Sequence, residues 1–295
     1  MRVLFIINTR SGNQTDGSLK ALIQNSSEEL NYEYSIFELT KGFSEDQILN
    51  AIEEYQPETL GVAGGDGTVN LIAKLIHNSS LPMLIIPTGS ANGMASELGI
   101  GGRLENALSL IRHGVKQHID VLKINGKICI HLADVGLNAR IVKRFEEDPG
   151  RGLITYAKYL FREIFLIKQY RFQIKIDGKL LKRKAVSLTF ANASKYGTGA
   201  VINPVGLIDD GKFELVIVRP FPHIKLLSIA WKMFTNKLQT SEYVEVHSCS
   251  KLQIRSSKKT TLQVDGEICG RVNEIRAEII PSCLTMIVPA EHSKD

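Results

Sequence analysis

The stretch TLGVAGGDGTVNLIAKLI, residues 59–76, places an apolar run, three glycines and a helical pattern one after another. The run 59–63 predicts a buried strand, and 69–76 predicts a helix. Where a parallel strand passes into a helix, backbone N–H groups lack partners and the helix dipole favours an anion. We expect Gly64, Gly65 and Gly67 to permit positive φ and a close approach of phosphate. The stretch therefore predicts a phosphate-binding loop, with an unliganded βα turn as the alternative.

Asp66 stands at the centre of this loop, where its carboxylate would repel a phosphate. Two unit charges about 4 Å apart interact with about 1 kcal/mol in water and about 4 kcal/mol near a protein surface. A divalent cation or a substrate hydroxyl would compensate for that repulsion. Both belong to phosphoryl transfer, in which Mg²⁺ neutralises charge and a carboxylate positions the nucleophile. Asp66 therefore favours a reaction site over a site that only binds phosphate.

The composition is that of an ordinary soluble globular protein. The chain has 295 residues, of which 43% are hydrophobic and 23% charged, so one large or two modest domains are expected. A net charge of +5 suits an anionic small molecule or membrane surface and is too weak to indicate nucleic acid. Four scattered cysteines predict reduced thiols. With no apolar run long enough for a membrane span, these features predict a cytoplasmic protein.

The chain divides into two parts that differ in their predicted secondary structure. The first part alternates strand and helix patterns, which predicts an α/β domain with a parallel sheet flanked by helices. Its predicted strands are 2–7, 32–39, 59–63 and 82–87, and its predicted helices are 19–30, 44–55, 69–76, 90–98 and 103–113. A capping box of Ser44 and Gln47 is expected to begin the second helix.

The second part predicts a mostly antiparallel β-sandwich. It opens with hairpins that turn at Asn125-Gly126 and Asp177-Gly178. Further strands are predicted at 212–218, 243–248, 251–257, 260–267 and 273–280, with helices at 153–168 and 223–236. We predict domains at 1–120 and 121–283, with a last strand at about 284–290 that returns to the first domain.

The motifs resemble one enzyme superfamily along essentially the whole chain. GGDGTVN (64–70) resembles the G-G-D-G-T signature of the diacylglycerol kinase, sphingosine and ceramide kinase, and NAD kinase superfamily. The segments that resemble its lipid-kinase branch, in family order, are NTRSG (8–12), IPTGSANGMASELGI (86–100), DVGLNARIV (134–142), GLIDDGKFELVIV (206–218) and VDGE (264–267). The chain thus looks like a bacterial soluble lipid kinase of the diacylglycerol kinase catalytic type.

This resemblance implies a fold, an activity and a nucleotide site. The fold would be an NAD kinase-like α/β nucleotide-binding domain beside a β-sandwich lipid-substrate domain. The activity would be ATP- and Mg²⁺-dependent phosphorylation of the hydroxyl of diacylglycerol or a related lipid alcohol. The implied nucleotide-binding residues are Asn8, Ser11, Gly12, Thr40, Gly64, Gly65, Asp66, Gly67, Thr68, Asn70, Ser90 and Asn92. Thr40 also reads as a helix-entry residue, and GSAN (89–92) as a helix N-cap.

The resemblance also assigns catalytic and metal residues. Glu267 would be the general base that takes the proton of the lipid hydroxyl. Asp265 would share metal and substrate duties with it, on the same face if the strand continues, and Asp66 would orient the acceptor or a metal. Alternatively, VDGE is a hairpin turn of the Asp-Gly type.

A structural Mg²⁺ is implied at Asp210, with the backbone carbonyls of Leu207 and Lys212, while the catalytic Mg²⁺ would arrive with ATP. An ordinary Asp-Asp-Gly turn is the alternative at this position.

The chain departs from the family pattern at two positions. Thr9 replaces a proline, and Gly93 stands where the family has an aspartate, which leaves open whether Asp134 or another acid compensates. Sphingoid-base, ceramide or NAD phosphorylation are alternative activities, and a non-catalytic nucleotide-binding regulator is the least favoured.

The implied partner is a lipid at the inner face of the membrane, reached by transient peripheral contact, and a homodimer is compatible with the sequence. The segments 179–184 and 153–168 are candidates for that contact, although a hairpin edge and a packed helix are the favoured interpretations. His131 is expected to be a hydrogen-bonded core residue.

Overall fold

The structure is a computed structural model that describes residues 1–9, 16–137, 168–195 and 201–292. Its internal contacts divide the chain into two compact units. Unit 1 comprises Met1–Ile119 with Ser282–Asp295, and unit 2 comprises Asp120–Pro281. The chain leaves unit 1 within strand β5 (Val115–Ile124) and returns to it within the last strand, β14 (Glu267–Val288).

Unit 1 is built on a parallel sheet, as predicted. Its strands are β1 (Arg2–Ile7), β2 (Glu33–Glu38), β3 (Thr59–Gly64) and β4 (Met83–Pro87). Its helices are α1 (Asp16–Leu30), α2 (Glu45–Tyr55), α3 (Asp66–Ile76), α4 (Gly93–Glu97) and α5 (Leu104–His113). The strand order is β4-β3-β1-β2, and β14 adds a parallel strand beside β4 through the pair Met286–Met83. Continuous burial of β3 and β4 reflects a sheet covered on both faces.

The order in which successive strands are added to the sheet reverses between the parallel strands β1 and β3. From β1 the connection leads to β2 on one side, whereas from β3 it leads to β4 on the other. Open α/β sheets bind ligands at the carboxyl ends of the strands that flank such a reversal. The topology of unit 1 therefore predicts a ligand site at the residues that follow Ile7 and Gly64.

The predicted capping box at the start of α2 is confirmed. The Ser44 side chain accepts a hydrogen bond from the Gln47 backbone N–H, and the Gln47 side chain accepts one from the Ser44 N–H. Two N–H groups of the first turn are satisfied by local side chains, so this helix start was readable from sequence.

Unit 2 is predominantly antiparallel β-structure, in agreement with the predicted sandwich. Its strands, besides its parts of β5 and β14, are β6 (Lys127–Cys129), β7 (Leu132–Gly136), β8 (Tyr170–Ile176), β9 (Lys179–Ala185), β10 (Ser187–Ala191), β11 (Phe213–Val218), β12 (Val244–Cys249) and β13 (Lys251–Val264). One path runs β12-β11-β10-β7-β13, and β13 also pairs with β8. Its largest fully buried side chains are Phe172, Phe190 and Phe213.

The two predicted hairpin turns are confirmed. Asn125 and Gly126 have φ of 49° and 86°, and Asp177 and Gly178 have φ of 45° and 82°. Positive φ at both central residues is the type I′ geometry, whose twist matches that of the flanking strands. These dipeptides therefore fixed the registers of β5 with β6 and of β8 with β9.

Other boundaries differ from prediction. The segments 251–257 and 260–267 form one strand, β13, with a register shift between Arg255 and Thr260, and it ends at Val264. The helix predicted at 223–236 is a 3₁₀ turn, His223–Lys225, followed by α6 (Leu226–Phe234). The helix predicted at 153–168 lies outside the described residues except for its last position. Among the helices that the structure describes, none combines the length and the hydropathy needed to cross a bilayer.

Gly136, the last residue of β7, offers a test of the fold of unit 2. Its φ is 96°, and a Cβ there would overlap the Val186 carbonyl oxygen. Gly178 has a similar φ of 82° but open space around its Cβ position. We expect Gly136→Ala to lower the free energy of unfolding by about 2 to 5 kcal/mol, the sum of backbone strain and overpacking, and Gly178→Ala by about 1 to 2 kcal/mol. Chemical denaturation followed by circular dichroism measures both, and equal losses would contradict the packing argument.

Candidate functional site

The carboxyl ends of β1 and β3 are linked through Asn8. Its backbone N–H donates to the Ala63 carbonyl oxygen at 2.9 Å. Its side-chain Nδ2 donates to the Thr68 Oγ1, also at 2.9 Å. Asn8 therefore connects the end of β1 to the first turn of α3.

Helix α3 begins three residues earlier than the sequence pattern predicted. Gly65 is its N-cap and Asp66 its first residue, so Gly67 and Thr68 belong to the helix and not to a loop. The Thr68 and Val69 N–H groups donate to the Gly65 carbonyl oxygen at 2.9 and 3.1 Å. The N–H groups of the two residues before them precede any intrahelical acceptor, which is the arrangement that binds anions at helix N-termini.

Close packing, and not positive φ, accounts for two of the three glycines, which corrects the prediction. None of Gly64, Gly65 and Gly67 has a positive φ. A Cβ on Gly64 would lie 2.5 Å from the Thr68 side chain, and one on Gly65 would lie 3.3 Å from the Gly89 Cα. A Cβ on Gly67 would meet no atom of the described residues within 4 Å. Protein packing thus explains the first two glycines, whereas it leaves the space beside Gly67 open to a ligand.

The loop after β4 packs directly on this helix start. The Thr88 N–H donates to the Gly64 carbonyl oxygen at 3.2 Å, and a Cβ on Gly89 would overlap the Gly65 backbone. Asn92, with φ of 50°, holds the loop closed. Its Oδ1 accepts from the Gly89 N–H at 2.9 Å, and its Nδ2 donates to the Gly89 carbonyl oxygen at 2.7 Å. Asn92 therefore has a structural task in this loop that the sequence did not reveal.

Asp66 has a protein partner that changes its interpretation. Its Oδ1 accepts a hydrogen bond from the Met94 backbone N–H at 3.1 Å, in the first turn of α4. A carboxylate in the first turn of α3 is also stabilised by the helix dipole. The structure therefore gives Asp66 two reasons to be present that need neither a metal nor a substrate hydroxyl. Its predicted role at the reacting groups stays a prediction.

The remaining residues of the predicted nucleotide site differ in their exposure to solvent. Thr40 is exposed just after β2, and the preceding residue donates its N–H to the Ile7 carbonyl oxygen, so Thr40 lies beside the end of β1. Ser90 is exposed on the loop after β4. Asn70 is only 2% exposed and offers a ligand little surface. The predicted residues Ser11 and Gly12 lie outside the described residues.

In unit 2, the VDGE segment forms a hairpin turn between β13 and β14. Asp265 and Gly266 have φ of 47° and 88°, and Val264 pairs with Glu267 across the turn. The strand does not continue through Asp265, so the expectation that Asp265 and Glu267 share a strand face is wrong. Glu267 is exposed at the first position of β14.

The carboxylate of Asp265 is engaged by the backbone. Oδ2 accepts from the N–H of Ile130 at 2.9 Å, and Oδ1 from the N–H groups of His131 and Leu132 at 3.0 and 3.1 Å. The Cys129 thiol donates to Oδ1 at 3.2 Å. These bonds make Asp265 an anchor of the turn, although it was predicted to share metal and substrate duties.

Burial shifts the pKa values of the Asp265 carboxyl and the Cys129 thiol. It raises the pKa of the Asp265 carboxyl above its ordinary value, against the opposing effect of the N–H groups that donate to it. Burial, with the neighbouring Asp265 charge, raises the pKa of the Cys129 thiol well above its usual range. Cys129 therefore remains a protonated thiol and donates a hydrogen bond to Asp265. The Nε2 atom of His131 is buried without a hydrogen-bond partner in the described part of the chain, and the hydrogen bonding expected of this histidine stays a prediction.

A second buried contact fixes the same turn, and sequence reasoning missed it. The Gln263 Oε1 accepts from the Gly266 N–H at 2.7 Å, and its Nε2 donates to the Asp134 Oδ2 at 2.6 Å. The Thr189 hydroxyl donates to the other oxygen of Asp134. Because Asp134 is fully buried and both its oxygens accept from protein groups, it does not replace the carboxylate that is missing at Gly93. Gln263, a polar residue at a buried strand position two residues before the turn, was the feature of the sequence that could have indicated this contact.

The candidate metal loop precedes β11. Asp210 and Lys212 are exposed, and the Asp210 Oδ1 accepts from the Lys212 N–H at 2.9 Å. The buried Asp120, which was not predicted, holds this loop. Its Oδ2 accepts from the Gly211 N–H at 2.6 Å, and its own N–H donates to the Ile208 carbonyl oxygen.

The metal ligands that this loop can offer are oxygen atoms. One carboxylate with backbone carbonyls, including that of Leu207, is a donor set that fits Mg²⁺. In the described residues there is no cluster of three His, Cys, Asp or Glu side chains suited to a metal ion.

Two family profiles match the chain over most of its length. The diacylglycerol kinase catalytic domain matches residues 2–124, and the YegS C-terminal NAD kinase beta sandwich-like domain matches residues 132–288. The first match contains the helix start at Asp66, and the second contains the turn at Asp265.

Individual relatives agree with these matches. The chain is 28% identical over 242 residues to a protein of Citrobacter koseri named "Probable lipid kinase YegS-like", with 79% of each chain covered. It is 27% identical over 240 residues to an uncharacterized protein of Synechocystis sp., with 78% of this chain and 55% of that protein covered.

Solved structures share the fold. A diacylglycerol kinase from Bacillus anthracis superposes with a TM-score of 0.76 at 17% identity, over 99% of this chain and 98% of that one. An NAD kinase from Archaeoglobus fulgidus in complex with ATP superposes with a TM-score of 0.58 at 15% identity, over 99% and 95% of the two chains. These two structures show the shared fold. The profile matches and the named relative establish that the chain belongs to the diacylglycerol kinase catalytic domain family and is a phosphate-transferring enzyme of the kinase class.

Proposed function

We propose that the protein transfers the γ-phosphate of ATP to the hydroxyl of diacylglycerol or a related lipid alcohol, in a Mg²⁺-dependent reaction. The observation that carries this proposal is the N-terminal turn of α3, which lies where the order of strand addition reverses between β1 and β3 and leaves space beside Gly67 among the described residues. The names of the relatives support the lipid acceptor, and the ATP complex of the NAD kinase supports the nucleotide.

The phosphates of ATP would bind at the start of α3. The N–H groups of its first residues and the helix dipole favour an anion there, and Gly67 lets a phosphate approach the backbone. Asn8 and Thr40, at the ends of the neighbouring strands, would contact the rest of the nucleotide. Bound with ATP, Mg²⁺ neutralises phosphate charge during transfer. The Asp66 oxygen that does not accept from Met94 would orient the acceptor or this metal.

Glu267 would act as the general base. A lipid hydroxyl is a weak nucleophile, so a carboxylate that accepts its proton assists the attack on phosphorus. The acceptor oxygen forms a bond to the γ-phosphorus, the bond to the β-phosphate oxygen of ADP breaks, and the hydroxyl proton passes to Glu267. The buried contacts of Asp265 and Gln263 would hold the turn that presents this side chain. A structural Mg²⁺ at the Asp210 loop would add rigidity in the same unit.

The acceptor and the base are tested together with γ-labelled ATP, Mg²⁺ and a panel of acceptors: diacylglycerol, a sphingoid base, ceramide and NAD. We expect label in the diacylglycerol product. We expect Glu267→Gln to lower kcat by about 10²-fold or more, because general-base assistance contributes about that much, while ATP affinity stays unchanged.

Each other outcome has a distinct meaning. Label on another acceptor would move the proposal to that activity, and unchanged turnover in Glu267→Gln would reject its role as the base. Full ATP binding with no labelled acceptor would favour the non-catalytic regulator.

The space beside Gly67 gives a test of the nucleotide site that does not depend on turnover. Because a Cβ there meets no atom in the part of the chain that the structure describes, Gly67→Ala should leave the free energy of unfolding unchanged or raise it by up to about 1 kcal/mol, since alanine favours helix. We expect ATP affinity, measured by calorimetry, to fall by about tenfold or more because the methyl group blocks the phosphate. Gly101→Ala, also in open space in unit 1, is the control for both measurements. Normal ATP affinity in Gly67→Ala would exclude this helix start as the phosphate site.

Asp265→Asn separates an anchor from a catalytic acid. The amide keeps an acceptor at Oδ1 but places a donor against the Ile130 N–H, so we expect unfolding to become easier by about 1 to 3 kcal/mol. The matched control, Asp177→Asn, changes the equivalent residue of the other Asp-Gly turn, at φ of 45°, and should be nearly neutral. Chemical denaturation measures both. Unchanged stability with lost turnover would show instead that Asp265 acts in the reaction.

A further inference from the structure

Large apolar side chains are exposed around helix α6 in unit 2. Ile224 in the preceding 3₁₀ turn is 84% exposed, Trp231 is 71% exposed and Phe234 is 60% exposed. Single exposed apolar residues are normal on protein surfaces. Here three of them lie within eleven residues, and Trp231 and Phe234 are neighbours at i, i+3 on the helix.

The orientation of α6 is fixed by its other face. Ile229 is buried, and Met233 packs against the apolar cluster that includes Leu132 and Val216. Ile229 and Met233 are four residues apart and share one side of the helix, whereas Trp231 lies half a turn from both. The core therefore holds α6 with Trp231 directed away from the protein.

Positive charges outnumber negative ones around this apolar ridge. From residue 215 to residue 241 the sequence contains no Asp or Glu, but it contains Arg219, Lys225, Lys232 and Lys237. Glu242 follows this stretch and lines a cavity together with Lys225 and Lys232, so it offsets part of that charge. Lys225 and Lys237 are exposed beside the ridge. Lys232 donates to the Thr240 carbonyl oxygen. Arg219 is paired with Glu245 and contributes less.

We propose that this surface, the α6 patch formed by Ile224, Lys225, Trp231, Phe234 and Lys237, binds the surface of an anionic lipid bilayer. Tryptophan and phenylalanine enter the interfacial region of a bilayer, and lysines near an anionic surface add attraction. Neither segment suggested by the sequence, 179–184 or 153–168, is part of this patch. Segment 179–184 contains one large exposed apolar side chain, Leu180, which is 59% exposed.

A second copy of the chain fits the patch less well than a bilayer. A two-fold contact places the same surface of two copies face to face, which would bring the lysines of both together. An anionic bilayer neutralises the same charges. The inference rests on the proposed function in one respect, since a lipid acceptor is the reason for such docking.

The chain contains one tryptophan, Trp231, so its fluorescence reports directly on the patch. The full chain is mixed with vesicles of phosphatidylcholine alone or with about a third phosphatidylglycerol. We expect the Trp231 emission to shift to the blue, and brominated lipids to quench it, with the anionic vesicles and much less with the neutral ones. Added salt should weaken the binding.

Variants assign the binding to the patch. Co-sedimentation with anionic vesicles should fall by about tenfold or more for the double variant Trp231→Ser/Phe234→Ser, because two large apolar side chains no longer enter the bilayer. Lys225→Gln/Lys237→Gln should weaken binding to anionic vesicles and leave the weak binding to neutral ones unchanged. The matched control is Leu180→Ser, an exposed apolar residue outside the patch, and it should bind as the unaltered protein does.

Three results would overturn the proposal. They are an unshifted Trp231 emission, equal binding by the patch variants, and a lipid-free dimer that shifts the emission as protein concentration rises. A dispersed short-chain diacylglycerol separates this proposal from the proposed function. Turnover of that acceptor without vesicle binding rejects the patch alone, whereas vesicle binding without turnover of any acceptor rejects the lipid kinase proposal alone.

Discussion

The loop after β4 and the start of α3 are in close backbone contact, since a Cβ on Gly89 would overlap the Gly65 backbone and a Cβ on Gly65 would lie 3.3 Å from the Gly89 Cα. This backbone contact sets where α3 begins relative to the loop. Thr88 then bonds to Gly64, and Asp66 reaches the Met94 N–H at the start of α4. Steric exclusion over a few ångströms thereby shapes the edge of the sheet at which the topology of unit 1 favours a ligand.

A different constraint, a set of buried polar contacts that holds a turn rigid, governs the VDGE segment of unit 2. Asp265 accepts three backbone N–H groups, and Gln263 connects the Gly266 N–H to the buried Asp134. Buried polar groups stabilise a structure when they are fully bonded and destabilise it when they are not. This network therefore favours one geometry of the turn, and with it one position for the backbone of Glu267.

The predictions that were confirmed depend on local interactions. The capping box of Ser44 and the turn at Asn125-Gly126 concern residues a few positions apart, so their physics is contained in the local sequence. The start of α3 was misplaced because glycine at Gly67 weakens the helical pattern, although the packing of Gly64 on Thr68 selects the helix. Likewise, exposure of Trp231 depends on which side of α6 packs on the core, and the helical pattern alone does not show that.

By itself, the sequence determined the two-part architecture, the family and most element positions, because alternating apolar patterns and turn dipeptides act over short ranges. Tertiary structure decided what individual polar residues do. Asp66 caps a second helix, Asp265 anchors a turn, and Asp134 is buried in the core of unit 2. Their partners lie 28 or more positions away in the chain, and a hydrogen bond depends on the distance and direction between atoms that only the folded chain brings together.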